Sequence, residues 1–306
     1  MKLVFSIAVV LCANGLFAYN FLFTSHDRAA VVLADSDGQI RWSMPADHPQ
    51  SAEVSPDGKR IFVAEISGAR MVDIQSRKTL WRYETPTVKW DGEETDTLKR
   101  GQSVRLENPV AQILGADRFL VGNEGRATLL EIDSNSNVLK TVKCESEKRV
   151  KHGEFRLARR DSRGRYIFPS LASSLLTVYD ALGGRVRRIR TDGGVVSAQF
   201  LPDGRILAGG IFGLAAYDSS DKKVWAFTSR ELRDALSADS DIVICDAQLM
   251  PNGNILCTTY CPPSVAGILE VSFDKKIVKK ISFDGYSRLS ALQLLDGDFK
   301  PLPQPE

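Results

Sequence analysis

Histidine and cysteine are scarce here: three His and five Cys in 306 residues. The histidines, His26, His48 and His152, are scattered along the chain. Cys257 and Cys261 have no second cysteine pair or histidine cluster beside them, which argues against a zinc site. The sequence has no Gly-x-Ser-x-Gly, no His-Glu-x-x-His and no phosphate loop, because no helix start follows Gly183-Gly184 or Gly209-Gly210. Asp91, Glu93, Glu94 and Asp96 lack the spacing of an EF-hand loop and read as a solvated acidic stretch balanced by Lys99 and Arg100. A charge excess is missing as well. The formal net charge is +2, which gives no footing for nucleic-acid binding. No cofactor, metal or catalytic group follows from these residues, and the balance leans away from an enzyme.

The N-terminus, MKLVFSIAVVLCANGLFAYNFLF, has a lysine, a short apolar core and then small residues. That is the layout of a secretory signal peptide over residues 1–18, with cleavage after Gly15 or Ala18, and it implies a periplasmic or secreted protein. The rival is an uncleaved anchor, since Leu3 to Phe23 is nearly long enough to span; Asn14 and Asn20 weaken it. With the signal removed, no membrane span is expected. Cys144, Cys245, Cys257 and Cys261 would remain and allow three full pairings. Cys245 and Cys261 flank one hairpin and are the expected disulfide.

What the chain has in quantity is repetition. SAEVSPDGKRIFVA, PVAQILGADRFLVG, EFRLARRDSRGRYIF, SAQFLPDGRILAGG and DAQLMPNGNILCTT each join two apolar runs through a turn rich in Gly, Asp, Asn or Pro. Two further strands follow each hairpin. The third strand usually ends in Asp (Asp73, Asp133, Asp180, Asp218), which can bind backbone N–H groups two residues on and close a turn. Four short strands at a period of roughly 40 to 57 residues indicate propeller blades. A sixth copy, LSALQLLDGD from Leu289, has only its first strand, and NFLFTSHDRAAVVLADSDGQIRWSMP from Asn20 supplies the other three. The fold expected is an all-β, six-bladed propeller over residues 19–300, closed by pairing residues 20–44 with 288–296, with a disordered tail at 301–306. Seven blades is the alternative, if Glu84 to Asn108 conceals another; that segment is polar and reads as a loop.

LADSDGQIRW (Leu33 to Trp42) resembles the repeat of the PQQ-like β-propeller family, and MVDIQSRKTLW and AYDSSDKKVW are looser copies. EVSPDGKRIFVA is similar to repeats of bacterial lactonase-like propellers. The resemblance spans nearly the whole mature chain and implies the fold. Quinoprotein dehydrogenases of similar repeat style are larger, with eight blades and dedicated cofactor and calcium residues, and no matching constellation occurs here.

Loops from fourth to next first strand, and from second to third, share one face of a propeller. They are the long ones here: Glu84 to Asn108, Lys143 to Gly153, Thr228 to Asp241 and Tyr260 to Gly267. Thr228 and Glu231 form a helix capping box in the third of them. The first strands, expected to line the channel, carry a polar residue in all six repeats: Glu53, Gln112, Arg156, Gln199, Gln248 and, after a one-residue shift, Gln293. Such a ring either faces trapped water or grips a small polar ligand or ion, with Glu53 and Arg156 its only charged members. His152, Glu154 and Asp246 are candidates for the channel mouth. The function expected is an exported module that binds a protein or a small polar ligand. A hydrolase or lyase acting on a sugar or lactone is the alternative, and a structural subunit of an envelope complex is a third possibility.

Overall fold

A computed structural model describes residues 19–303 except Pro262, so the proposed signal segment lies outside the described residues. In chain order, β1 (Asn20–Ser25), β2 (Ala30–Asp35) and β3 (Ile40–Pro45) open an incomplete sheet. The first full blade is β4 (Ser51–Val54), β5 (Arg60–Glu65), β6 (Gly68–Asp73) and β7 (Thr79–Glu84). A two-stranded hairpin, β8 (Thr87–Lys89) and β9 (Ser103–Arg105), interrupts the series. The second blade is β10 (Gln112–Gly115), β11 (Arg118–Asn123), β12 (Thr128–Ile132) and β13 (Val138–Lys143). The third is β14 (Arg159–Arg160), β15 (Tyr166–Ser170), β16 (Leu175–Tyr179) and β17 (Arg185–Arg190). The fourth is β18 (Val195–Phe200), β19 (Ile206–Gly210), β20 (Gly213–Tyr217) and β21 (Lys223–Thr228), followed by α1 (Ser229–Leu236). The fifth is β22 (Val243–Leu249), β23 (Ile255–Cys261), β24 (Gly267–Val271) and β25 (Ile277–Ile281). Finally β26 (Leu289–Leu295) pairs antiparallel with β1, Leu22 opposite Gln293, and completes the sixth blade. Six four-stranded sheets thus form a six-bladed propeller.

The third-strand aspartates close turns as their chemistry requires. Asp133 Oδ1 accepts from the N–H groups of Asn135 and Asn137, and Asp218 Oδ1 from those of Ser220 and Lys222. The core is not one mass but a wedge between each pair of adjacent blades. Phe62, Tyr83, Phe119 and Val121, for example, fill the space between the first and second. Tryptophans of the fourth strands tie these wedges: Trp42 Nε1 donates to the carbonyl of Ile74 at 3.1 Å, and Trp225 Nε1 to that of Phe273 at 2.7 Å. Outer strands expose single apolar residues such as Leu80, Val186 and Val224. Charged neighbours flank them, as Arg185 and Arg187 flank Val186, which blunts these edges against pairing with other chains.

The segment between β7 and β10 is not a seventh blade. Its hairpin holds a small core of Trp90, Leu98 and Val104, and Trp90 leans on the second blade. Gly125 is glycine for that reason: its φ is +79°, and a Cβ there would sit 2.6 Å from the Trp90 ring. Helix α1 has the expected capping box, and Leu232 is buried between the fourth and fifth blades. Residues 301–303 depart from the expected disordered tail. Leu302 N–H donates to the carbonyl of Leu294, Pro301 bridges Leu295, and Leu302 packs on the core, so this stretch folds back beside β26; residues 304–306 lie outside the described residues.

Candidate functional site

The innermost strands β4, β10, β14, β18, β22 and β26 enclose the channel. Their neighbours are separate sheets, so backbone groups pointing across the gap need other partners. Side chains of the polar ring supply them. Glu53 accepts from Ile113 N–H at 2.7 Å in the next blade. Gln112 bridges the N–H and carbonyl of Arg160, and Gln199 accepts from Leu249 N–H. Gln248 donates to the carbonyl of Leu292 at 2.7 Å and accepts from Leu294 N–H at 3.0 Å. Gln293 accepts from Val54 N–H at 2.7 Å, joining the sixth blade to the first, while the third and fourth blades are joined by backbone, Leu157 N–H donating to the carbonyl of Val196 at 3.0 Å. Five of the six residues read as a ring therefore form a belt that stitches blade to blade.

Arg156 is not the sixth member. The ladder of β14 begins only at Arg159, which pairs with Ile167 as Gln199 pairs with Leu207. Counting from the start of the repeat misplaces the ring residue by three positions, because the chain before β14 carries extra residues that run outside the ladder. Arg159 instead reaches across the channel to Asp246, Nη2 to Oδ2 at 2.5 Å. Asp246 also accepts from Leu292 and Ala247 N–H, so it is a buried fixture of the channel wall and not a mouth residue; burial raises its pKa despite Arg159. Burial likewise pushes Glu53 up to about 7. Between the belt and the hairpin-turn face lies a cavity of about 570 Å³, bounded in part by Glu53, Gln199, Arg163 and the folded-back Pro301 and Leu302.

The opposite mouth, on the face of the long loops, is where Arg156 lies. It donates through Nη1 to Gln50 Oε1 and through Nη2 to His152 Nε2, each at 2.8 Å. Since a guanidinium only donates, His152 Nε2 must accept, and the imidazole is neutral with its proton on Nδ1. That N–H donates to Glu107 Oε2 at 2.7 Å. Glu124, fully buried, accepts from Gly153 N–H through Oε2, while its Oε1 has no hydrogen-bond partner and lies 3.9 Å from Arg156 Nη1. Burial raises Glu124 to about 8, against the pull of Arg156. Glu154 is also fully buried. Its Oε2 accepts from Gly125 and Ala127 N–H and fixes the β11–β12 turn; burial lifts it to about 7.

All three histidines come to this face. His26, in the β1–β2 turn, meets Tyr260 Oη through Nδ1 at 3.3 Å. Burial, with the charge of Arg156, lowers its pKa to about 4. The ligand atoms of Glu107, Glu124 and His152 lie within 4.8 Å of one another, a spacing a metal could use. Arg156 already touches His152 and faces Glu124, so a cationic group stands at this cluster. Sequence reading missed Glu107, Glu124 and Gln50. No motif marks them, and Glu107 and Glu124 sit in two loops joined by a backbone bond, Glu124 N–H to the carbonyl of Glu107 at 2.9 Å.

The expected disulfide rests on a cysteine only partly described. The register sets Cys261 opposite Val243, with bulges on either side of Ile244, so Cys245 is two positions away along its strand; the Cys261 side chain lies outside the described residues. Among the described residues, no helix is long and apolar enough to cross a membrane.

No protein-family model matches the sequence, and no curated protein matches it. A solved structure of a protein of unknown function from Bacteroides caccae is similar, with a TM-score of 0.71 and 17% identity over 90% of this chain and 98% of that one. At that identity the likeness carries the fold alone: this chain is an all-β, six-bladed propeller.

Proposed function

We propose that the protein is an exported binding module that takes a small polar ligand at the loop mouth of its channel. The observation that carries this reading is Glu124: a fully buried carboxyl with one oxygen left without a hydrogen bond, in a long ion pair of 3.9 Å with Arg156. Buried polar groups are nearly always partnered, and an unpartnered one under the loop mouth is a place for a ligand atom. Export rests on the signal-like N-terminal segment, and the PQQ-like resemblance on the repeats alone.

Binding is favoured over hydrolase or lyase chemistry by the state of His152. It is hydrogen-bonded to Glu107 as a general base would be, yet its second nitrogen is held by Arg156 and is not offered to a substrate. A thermal-shift screen of sugars, lactones, quinones and divalent ions on wild type and Glu124→Gln tests the reading. A ligand that shifts the wild type and binds the variant more than tenfold more weakly supports it, with the variant's own stability as control. If no compound shifts the wild type, small-molecule binding fails and a protein partner takes its place.

A further inference from the structure

Arg163 at the cavity is exposed to solvent; of four less exposed arginines at the interior or its mouths, three have a carboxylate at close range. Arg159 meets Asp246 at 2.5 Å, Arg160 meets Glu131 at 3.1 Å, and Arg165 meets Asp161 at 2.7 Å. Arg156 differs. Its side chain is only 13% exposed, but its two hydrogen-bond acceptors, Gln50 and His152, are both neutral, and the nearest carboxylate oxygen is 3.9 Å away. Two of five guanidinium N–H donors are used by these bonds. A part-buried cation whose carboxylate contact is only a long ion pair with Glu124, at 3.9 Å, keeps donors to offer an anion.

From this constellation we infer that the ligand of the loop mouth is a sugar acid: a carboxylate held by Arg156, on a hydroxylated skeleton whose OH groups reach Glu124 Oε1. The inference rests on the binding reading above and names its ligand class. A planar guanidinium presents parallel N–H bonds that match a carboxylate. Phosphate fits less well, because its second charge would meet the carboxyl groups of Glu107 and Glu124 with one guanidinium to offset them. Glu124 Oε1, buried and unbonded, suits a hydroxyl donor. A metal ion in the same place would have to displace Arg156 from His152.

The test is calorimetric titration of the full-length protein with D-glucuronate, D-glucose and inorganic phosphate, in EDTA so that no metal bridges the ligand. Glucuronate is expected to bind at least tenfold more tightly than glucose or phosphate. Arg156→Gln should abolish the preference over glucose to within threefold, and Arg156→Lys should not restore it, because an ammonium lacks the fork. Circular dichroism melts confirm that each variant is folded. Equal binding of glucose and glucuronate, tighter binding of phosphate, or a preference that survives Arg156→Gln overturns the sugar acid. So does absence of glucuronate binding at 10 mM, at least about tenfold above the Kd of a micromolar-to-millimolar site. Any neutral ligand that still needs Glu124 then leaves the binding reading in place.

Discussion

The belt inside the channel and the loop mouth above it use the same residue types, yet one closes its hydrogen bonds and the other does not. In the belt, each glutamine reaches the backbone of the next blade, and the half-buried Arg159 has Asp246. At the mouth, Glu124 keeps an unbonded oxygen and Arg156 rests on neutral partners. The difference teaches where each region's polar groups act. The belt holds six separate sheets in a ring. The mouth holds charge ready for something else.

The largest effect tests the ring on which both regions depend. Deleting Leu289–Glu306 removes β26, Gln293 and the contacts to both neighbouring blades, and cooperative unfolding should disappear in calorimetry. A truncated chain that melts like the full one would refute closure of the sixth blade. Next, Gln248→Ala leaves the carbonyl of Leu292 and the N–H of Leu294 without their partner. A cost of about 2 kcal/mol is expected, a fall in Tm of about 5 °C for a chain of this size. His152→Ala, at an exposed mouth position, should cost less than about 0.5 kcal/mol. If the two variants melt alike, the division between belt and mouth does not hold.

A smaller effect is expected from pH. Glu53 has a folded pKa raised from 4.5 to about 7 by burial. The folded state therefore holds its proton more tightly, a stabilisation fully present below pH ~4.5 and lost as pH rises through about 7. Glu53→Gln retains an acceptor for Ile113 N–H and loses the titration. Relative to wild type it should gain on the order of 1–2 kcal/mol between pH 5 and pH 8, a moderate figure because the group lines a channel that water can enter. Parallel Tm profiles for the two proteins would place Glu53 outside this coupling.

Much of the fold was legible in the repeats, and little of the site. The split sixth blade could be read because LSALQLLDGD is a first strand without successors and Asn20 begins a second strand without a predecessor. Glu53 and the four glutamines were found because one polar residue recurs in each apolar strand. Arg156 was misplaced because the third blade's inner strand has only two ladder residues, so the usual spacing fails there. Glu107 and Glu124 left no trace, since each is an ordinary loop glutamate until the neighbouring turns bury it.

The sequence by itself determined the number of blades, the turn chemistry and the identity of the closing strand, because hairpin turns and two-residue alternation are local properties. Only the tertiary structure decided that three scattered histidines share one face, that Arg159 and not Arg156 faces Asp246, and that Glu124 is buried with an oxygen unbonded. Those are consequences of ring closure. Loops 26, 48, 107, 124 and 152 residues along the chain meet at one mouth only when six sheets are held in a circle, and the burial that shifts their chemistry exists only there.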